Sequence, residues 1–246
     1  MKVAVISDVH SNLEALTAVV EDAKKRGAEQ LWCLGDVVGY NADPDQCCEI
    51  VKDRCSIAIM GNHDSAVVGN TEPSHFNRVA KEAVMWSRKV LKRSNMEFLK
   101  RLRSAVVFDD TVLIVHGAPS DPDRYILSEE AAKSELLYMV RNLKRKVCFF
   151  GHTHFPLAYK IGPDGKFSSY RGEGSITLEE DSSYLVNPGS TGQPRDGDVR
   201  ASYVMFDRDK MVVTWVRAPY DIKTCQEKIM TAGLPPFLAE RLEAGY

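Results

Sequence analysis

The sequence predicts an α/β fold in which two sheets pack as an α/β sandwich flanked by helices, all within a single domain spanning residues 1–246. Three observations lead there. Short apolar runs without period-two alternation recur through the first 150 residues, as expected of strands buried on both faces. Segments with helical periodicity separate several of these runs. After His154 the pattern changes to paired short strands joined by Gly, Pro and Asp, which is the composition of hairpins.

The first run, Lys2-Val-Ala-Val-Ile6, reads as a strand. Residues 12–26 follow with Leu13, Leu16, Val19, Val20 and Ala23 on one face and Gly27 closing the segment, a helix with a C-terminal glycine. Leu31-Trp-Cys-Leu34 is the next strand, so a βαβ unit joins the first two runs. Residues 45–53 form a short helix and Ser56-Ile-Ala-Ile-Met60 a third strand. Residues 74–103 are helical in composition, with Val90, Leu91, Phe98, Leu99 and Leu102 as a buried stripe beneath a basic, solvated face. Thr111-Val-Leu-Ile-Val115 and Lys146-Val-Cys-Phe-Phe150 are further strands. Beyond them, Leu157–Ile161 pairs with Lys166–Tyr170, and Ser202–Phe206 pairs with Met211–Val216; both hairpins are expected to build the second sheet. The tail, residues 219–246, carries Pro235-Pro236 between helical pieces and is expected to wrap the core or meet a partner.

Five polar clusters sit directly after five of these strands: Asp8-Val-His10, Gly35-Asp36, Gly61-Asn62-His63-Asp64, His116-Gly117 and Gly151-His152-Thr153-His154. They hold five of the six histidines, His75 being the sixth. In α/β sheets ligands gather outside the carboxyl ends of the strands, so clusters at five strand ends can converge on one site. Imidazoles (His10, His116, His152, His154), carboxylates (Asp8, Asp36) and an amide oxygen (Asn62) make a mixed nitrogen and oxygen donor set. Such a set suits Mn, Fe, Zn, Co or Ni rather than Ca or a thiolate zinc site. The neighbouring glycines fit backbone that must approach an ion closely, and fit ordinary strand-end turns equally well.

In this order the clusters resemble the calcineurin-like metallophosphoesterases, whose pattern is D-x-H, G-D, G-N-H-[D/E], H and G-H-x-H. The resemblance spans residues 8–154 and implies two divalent metal ions, Mn foremost, with residues 1–156 as the metal-binding core, 157–218 as second-sheet hairpins and 219–246 as a helical tail. It assigns Asp8, His10, Asp36 and His154 to one ion and Asp36, Asn62, His116 and His152 to the other, with Asp36 bridging. His63 matches the position that faces the leaving-group oxygen, and Asp64 is a local candidate to orient it. Two such ions orient a phosphoryl oxygen and lower the pKa of a shared water for in-line attack on phosphorus.

Departures from the pattern narrow the substrate. Protein Ser/Thr phosphatases continue G-D-x-x-D-R-G, whereas this chain reads Gly35-Asp-Val-Val-Gly39-Tyr40-Asn41. The layout is closer to the small bacterial phosphodiesterases and the diadenosine-tetraphosphatase-like branch, which implies hydrolysis of phosphodiesters or small phosphate esters. A dinucleoside polyphosphate hydrolase, a protein Ser/Thr phosphatase and a metal-supported interaction scaffold are the alternatives. The segment 187–198 reads either as a plain loop or as the carrier of Arg195, a bidentate phosphate clamp that replaces the absent arginine. Asn12 is either a phosphate contact or the cap of the helix that follows it.

A net charge of −2 argues against a dedicated nucleic-acid or membrane binder. No signal-like or membrane-length apolar run is present, so a cytoplasmic location is expected. The six cysteines include no C-x-x-C pair and read as small core residues in a reducing compartment. The expected partner is a small phosphate ester, and self-association into a homo-oligomer is compatible with everything above.

Overall fold

The computed structural model describes residues 1–246, with residue 75 described by its backbone alone. Strands β1 (Lys2–Ile6), β2 (Gln30–Cys33) and β3 (Ile57–Ala58) are parallel neighbours, linked by helices α1 (Leu13–Lys25) and α2 (Pro44–Arg54). Helix α3 (Asn62–Val68) starts four residues after β3, and α4 (Arg78–Val90) and α5 (Arg93–Lys100) follow. The hairpin β4 (Ala105–Phe108) and β5 (Val112–Val115), helix α6 (Glu129–Tyr138) and strand β6 (Val147–Phe149) complete the first half. The second half comprises β7 (Pro156–Ile161), β8 (Phe167–Arg171), β9 (Ser175–Thr177), β10 (Ser183–Pro188), β11 (Ala201–Asp207), β12 (Val212–Ala218), α7 (Ile222–Thr231) and α8 (Phe237–Ala244).

Two six-stranded mixed sheets result, ordered β3-β2-β1-β11-β12-β9 and β4-β5-β6-β10-β7-β8. The expectation that both late hairpins form the second sheet is corrected here. Only β7–β8 goes there; β11 pairs antiparallel with β1, placing β11–β12 in the first sheet, while β5 and β6 lie in the second. Hairpin patterning fixes local pairing, but which sheet a hairpin joins depends on contacts remote in sequence.

The layers explain the unbroken apolar runs. In β1, Val3 and Val5 face the inter-sheet core while Ala4 and Ile6 face the helices; in β5, Val112 and Ile114 face inward while Leu113 and Val115 face α6. Trp32, Phe149, Phe206 and Tyr184 fill the space between the sheets. Helices α1, α2, α4 and α5 cover the first sheet, and α6 covers the second. The 74–103 segment is not one helix: Asn77 caps α4 through its side-chain oxygen, and extended backbone at Leu91 and Lys92 separates α4 from α5. A fourth apolar cluster joins α4, α7 and α8 over Tyr40. No helix among the described residues is long and apolar enough to cross a membrane.

Candidate metal centre

Every predicted ligand stands just beyond the carboxyl end of a strand. Asp8 and His10 follow β1, Asp36 follows β2, Asn62 and His63 open α3 beyond β3, His116 follows β5, and His152 and His154 follow β6. Because β1–β3 belong to one sheet and β5–β6 to the other, the site lies across the mouth of the sandwich.

The backbone there is strained. Asp8, His10, Asp36, His152 and His154 all adopt left-handed φ values between 49° and 67°. Non-glycine residues pay about 1–2 kcal/mol for this conformation, and it persists only where the surroundings enforce it. Here the loops hold one another: Asp8 N–H donates to Gly35 O at 3.1 Å, His10 N–H to Asp36 O at 2.8 Å, Gly151 N–H to His116 O at 2.8 Å and Gly192 N–H to Asp8 O at 2.9 Å. Gly61 is required by closeness, since a Cβ there would lie 2.1 Å from Asp36 Oδ1.

Hydrogen bonds define which nitrogen each imidazole presents. His10 Nδ1 points to Val38 O (3.2 Å), His154 Nδ1 to Gln193 O (2.7 Å) and His116 Nδ1 to Leu34 O (2.8 Å). A carbonyl can only accept, so these nitrogens carry a proton, and in His10 and His154, which burial keeps neutral, Nε2 is left as a lone pair. Yet His10 Nε2 and His154 Nε2 face each other at 3.2 Å, and His154 Nε2 lies 3.3 Å from Asp8 Oδ1, a buried oxygen with no hydrogen-bond partner. His116 Nε2 lies 3.1 Å from Asn62 Oδ1 and 3.3 Å from Asp36 Oδ2. His152 is reversed: its Nε2 faces Asp123 O at 3.2 Å, leaving Nδ1 for the site. Lone pairs converging in a buried space need a cation between them, and the donor set fits one.

Two groups of donors emerge, Asp8–His10–His154 and Asp36–His116–His152, with a third made of His10, Asp36 and His63. Asp36 connects them. Its Oδ1 accepts the His63 N–H at 2.9 Å, while Oδ2 lies 3.6 Å from His10 Nε2 and 3.3 Å from His116 Nε2. Without cations, burial pushes His10 and His154 well below the ordinary imidazole range and brings His152 down to about 3. Burial also raises Asp8 to about 6. Burial opposes charge on His116 as well, but Asp36 and Asp8 outweigh it and lift the group to about 10.

His63 is buried and brought down to about 4 by desolvation, and its Nδ1 has no hydrogen-bond partner. Aromatic packing holds the ring instead: Tyr40 at 4.6 Å, Phe76 at 4.7 Å and His10 at 4.8 Å between ring centroids. Asp64 does not orient it. Its Oδ1 accepts from Val38 N–H (3.1 Å) and its Oδ2 from Gly61 N–H (3.0 Å), so the carboxylate ties the start of α3 to the Asp36 loop. Asn12 is likewise part of the frame rather than a phosphate contact. It is fully buried, its Oδ1 capping α1 through Ala15 N–H and its Nδ2 donating to Gly192 O at 2.9 Å.

Arg195 reaches the site from the 187–198 segment, and its charge acts on Asp8, His10, His63 and His154. Its Nη2 donates to Gln193 Oε1 at 3.2 Å, while its buried Nε has no partner. The Asn187-Pro-Gly-Ser190 stretch is a buttress: Asn187 Nδ2 donates to Gly151 O, and Ser190 Oγ donates to Asp8 O. Sequence reasoning missed Phe76, Tyr125 and the packing role of Tyr40. Tyr125 stacks on His152 with centroids 3.6 Å apart and is 45% exposed beside the centre. Nothing in its Pro- and Asp-rich segment marked it, whereas Tyr40 was visible as a departure from the phosphatase pattern.

The model of the calcineurin-like phosphoesterase superfamily domain matches residues 1–211. An uncharacterized protein of Methanocaldococcus jannaschii is 40% identical over 246 residues, covering 99% of this chain and 98% of its own length. The crystal structure of a metallophosphoesterase from Sphaerobacter thermophilus superposes with a TM-score of 0.86 at 37% identity, covering 100% of this chain and 99% of that one. A hypothetical protein from Pyrococcus horikoshii OT3 shares the fold with a TM-score of 0.80 at 19% identity, covering 100% and 98%. On the domain match, the full-length relatives and the donor geometry together, the chain belongs to the calcineurin-like phosphoesterase superfamily and is a metal-dependent phosphoric ester hydrolase.

Proposed function

We propose that this protein hydrolyses phosphodiesters or small phosphate esters at a dinuclear centre. Asp8, His10, Asp36 and His154 hold one ion, Asp36, Asn62, His116 and His152 hold the other, and Asp36 bridges. When bound, the pair supplies Lewis acidity toward a phosphoryl oxygen and lowers the pKa of a water for attack on phosphorus. The observation that carries this reading is the set of lone pairs facing one another without a proton between them, above all His10 Nε2 and His154 Nε2 at 3.2 Å.

The protein's own groups do the rest. His63, fixed by its aromatic neighbours, stands where it can donate from Nε2 to the leaving-group oxygen, because Nδ1 is turned to the floor of the site. As general acid or charge stabiliser it contributes roughly 10²–10⁴-fold. Arg195 grips the phosphoryl oxygens through its guanidinium. Tyr125 over His152 forms an apolar wall for the ester group. The ions are Mn foremost, with Fe, Zn, Co or Ni as alternatives for the same donors. Six free cysteines, five of them buried, favour a reducing cytoplasmic setting.

The test is a substrate panel with added Mn²⁺: aryl phosphodiesters and monoesters, cyclic nucleotides, dinucleoside polyphosphates and a phosphopeptide, compared by kcat/KM. Small esters are expected to exceed the phosphopeptide. A phosphoprotein turned over more efficiently than every small ester would replace this reading with the protein phosphatase one.

A further inference from the structure

The segment between β5 and α6 folds tightly back beside the metal centre. At Gly117 a Cβ would lie 2.5 Å from Pro122 O and 2.7 Å from Arg124 O, so the chain returns this closely only over a glycine. Ala118 and Asp121 exchange both backbone hydrogen bonds, at 2.9 and 3.1 Å, and Arg124 N–H donates to Asp121 O at 3.1 Å. The buried carboxylate of Glu135 on α6 anchors the turn from its other side. Ser120 N–H donates to Glu135 Oε2 at 3.0 Å, Ser120 Oγ donates to Oε1 at 2.7 Å, and Arg124 Nη1 lies 3.2 Å from Oε1. Ile126 closes the segment by entering the core beneath α6.

This braced turn meets the centre at two points. Asp123 O faces His152 Nε2 at 3.2 Å, and Tyr125 lays its ring on the same imidazole, with centroids 3.6 Å apart and planes 23° from parallel. One face of the Tyr125 ring is thereby used, and among the described residues no other aromatic ring stacks on it; the residue stays half-exposed beside the centre. The turn offers no free cation, since Arg124 is taken by Glu135, while Asp121 and Asp123 add negative charge. A group meeting Tyr125 from solvent is therefore better uncharged than anionic. A ring fixed on a rigid turn loses little further freedom when something stacks on it, and its π face is the surface it presents.

We propose that the free face of Tyr125 stacks on a planar, uncharged ring carried by the substrate, making Tyr125 a specificity-determining residue that selects aromatic esters over aliphatic ones. This rests on the phosphoesterase reading and narrows its ester group to an aryl ring joined directly to the phosphate or a nucleobase one sugar away. Stacking uses the π face and not the hydroxyl, so phenylalanine serves in place of tyrosine and an aliphatic side chain does not.

Phosphonates, whose carbon–phosphorus bond resists hydrolysis, test this through binding rather than turnover. Phenylphosphonate, a thymidine phosphonate and methylphosphonate are titrated calorimetrically into the Mn²⁺-loaded protein as wild type, Tyr125→Phe, Tyr125→Leu and Tyr125→Ala. In wild type and Tyr125→Phe at least one planar ligand is expected to bind about tenfold more tightly than methylphosphonate, and which of the two gains more tells whether the ring sits on the phosphate or a sugar away. In Tyr125→Leu and Tyr125→Ala that advantage is expected to vanish, with methylphosphonate affinity and metal content by elemental analysis unchanged. Two aliphatic variants are included so that the comparison survives if one does not fold. No planar preference in wild type, or a preference that persists in the aliphatic variants, overturns the stacking platform. Loss of metal or of methylphosphonate binding in those variants overturns it too, because Tyr125 would then act only by supporting His152. Failure of the phosphoesterase reading shows differently, as no turnover of any ester in the substrate panel whatever the phosphonates do.

Discussion

The imidazole of His63 stands directly over Gly39, where a Cβ would lie 2.5 Å from its Nδ1. Protein phosphatases of the resembling pattern carry an aspartate at this position; here φ is +102° and the ring occupies the space a side chain would need. Packing against Tyr40 and Phe76 has replaced a carboxylate as the means of holding the ring. Gly39→Asp, which restores the phosphatase residue, is therefore expected to lower kcat at least tenfold and to destabilise the fold by roughly 1–3 kcal/mol. Steady-state kinetics and a thermal midpoint check this, and a faster Gly39→Asp enzyme refutes the packing account.

Asp36 and His63 are expected to separate in a metal assay. Asp36→Asn removes the carboxylate whose Oδ2 faces both His10 and His116, so metal content and activity should fall together. His63→Ala should retain two metals per chain and lose roughly 10²–10⁴-fold in kcat. Elemental analysis alongside turnover decides, and two retained metals with normal turnover in Asp36→Asn would reject the bridge.

Metal uptake should release protons. In the metal-free protein His116, lifted to about 10 by Asp36 and Asp8 against the effect of burial, is charged at neutral pH. Its Nε2 must lose that proton before it can coordinate. Since its folded pKa is raised, the ion pair with Asp36 stabilises the metal-free chain fully below the unfolded value of about 6.5 and is lost as pH rises toward about 10. Metal binding has the opposite slope, its affinity increasing with pH across that window. Calorimetry in buffers of different ionisation heat should detect about one proton released near pH 7. A pH-independent affinity would contradict the His116 assignment.

Arg195→Ala is expected to leave metal content and folding unchanged while weakening kcat/KM by roughly 1.5–3 kcal/mol, the worth of a charge-assisted hydrogen bond. Arg195→Lys should recover only part of it, because an ammonium lacks the fork. Unaltered kinetics in Arg195→Ala would return the 187–198 segment to a purely structural role.

The ligand loops were readable from the sequence because each combines a buried apolar run with a polar residue type that has little other reason to stand at a strand end. The two late hairpins were not separable, since β7–β8 and β11–β12 have the same local pattern and only the remote edge of β1 distinguishes them. Asp64 shows a subtler limit. An acid three residues into a helix closes back on the preceding backbone, and Asp64 Oδ2 does so by accepting the Gly61 N–H. The aromatic enclosure of His63 could not be read, because Tyr40 and Phe76 meet only after α4, α7 and α8 have packed.

The pairing of β1 with β11 sets a timetable for the nascent chain. Lys2 lies opposite Asp207, so a ribosome adding 5–20 residues per second leaves one edge of β1 open for roughly 10–40 s after it emerges. Until then the Asp8 loop also lacks its supports from Ser190 and Gly192. Contacts this remote fold slowly, and an open apolar strand edge invites wrong partners meanwhile. A truncation before residue 207 should therefore yield aggregating, metal-free protein.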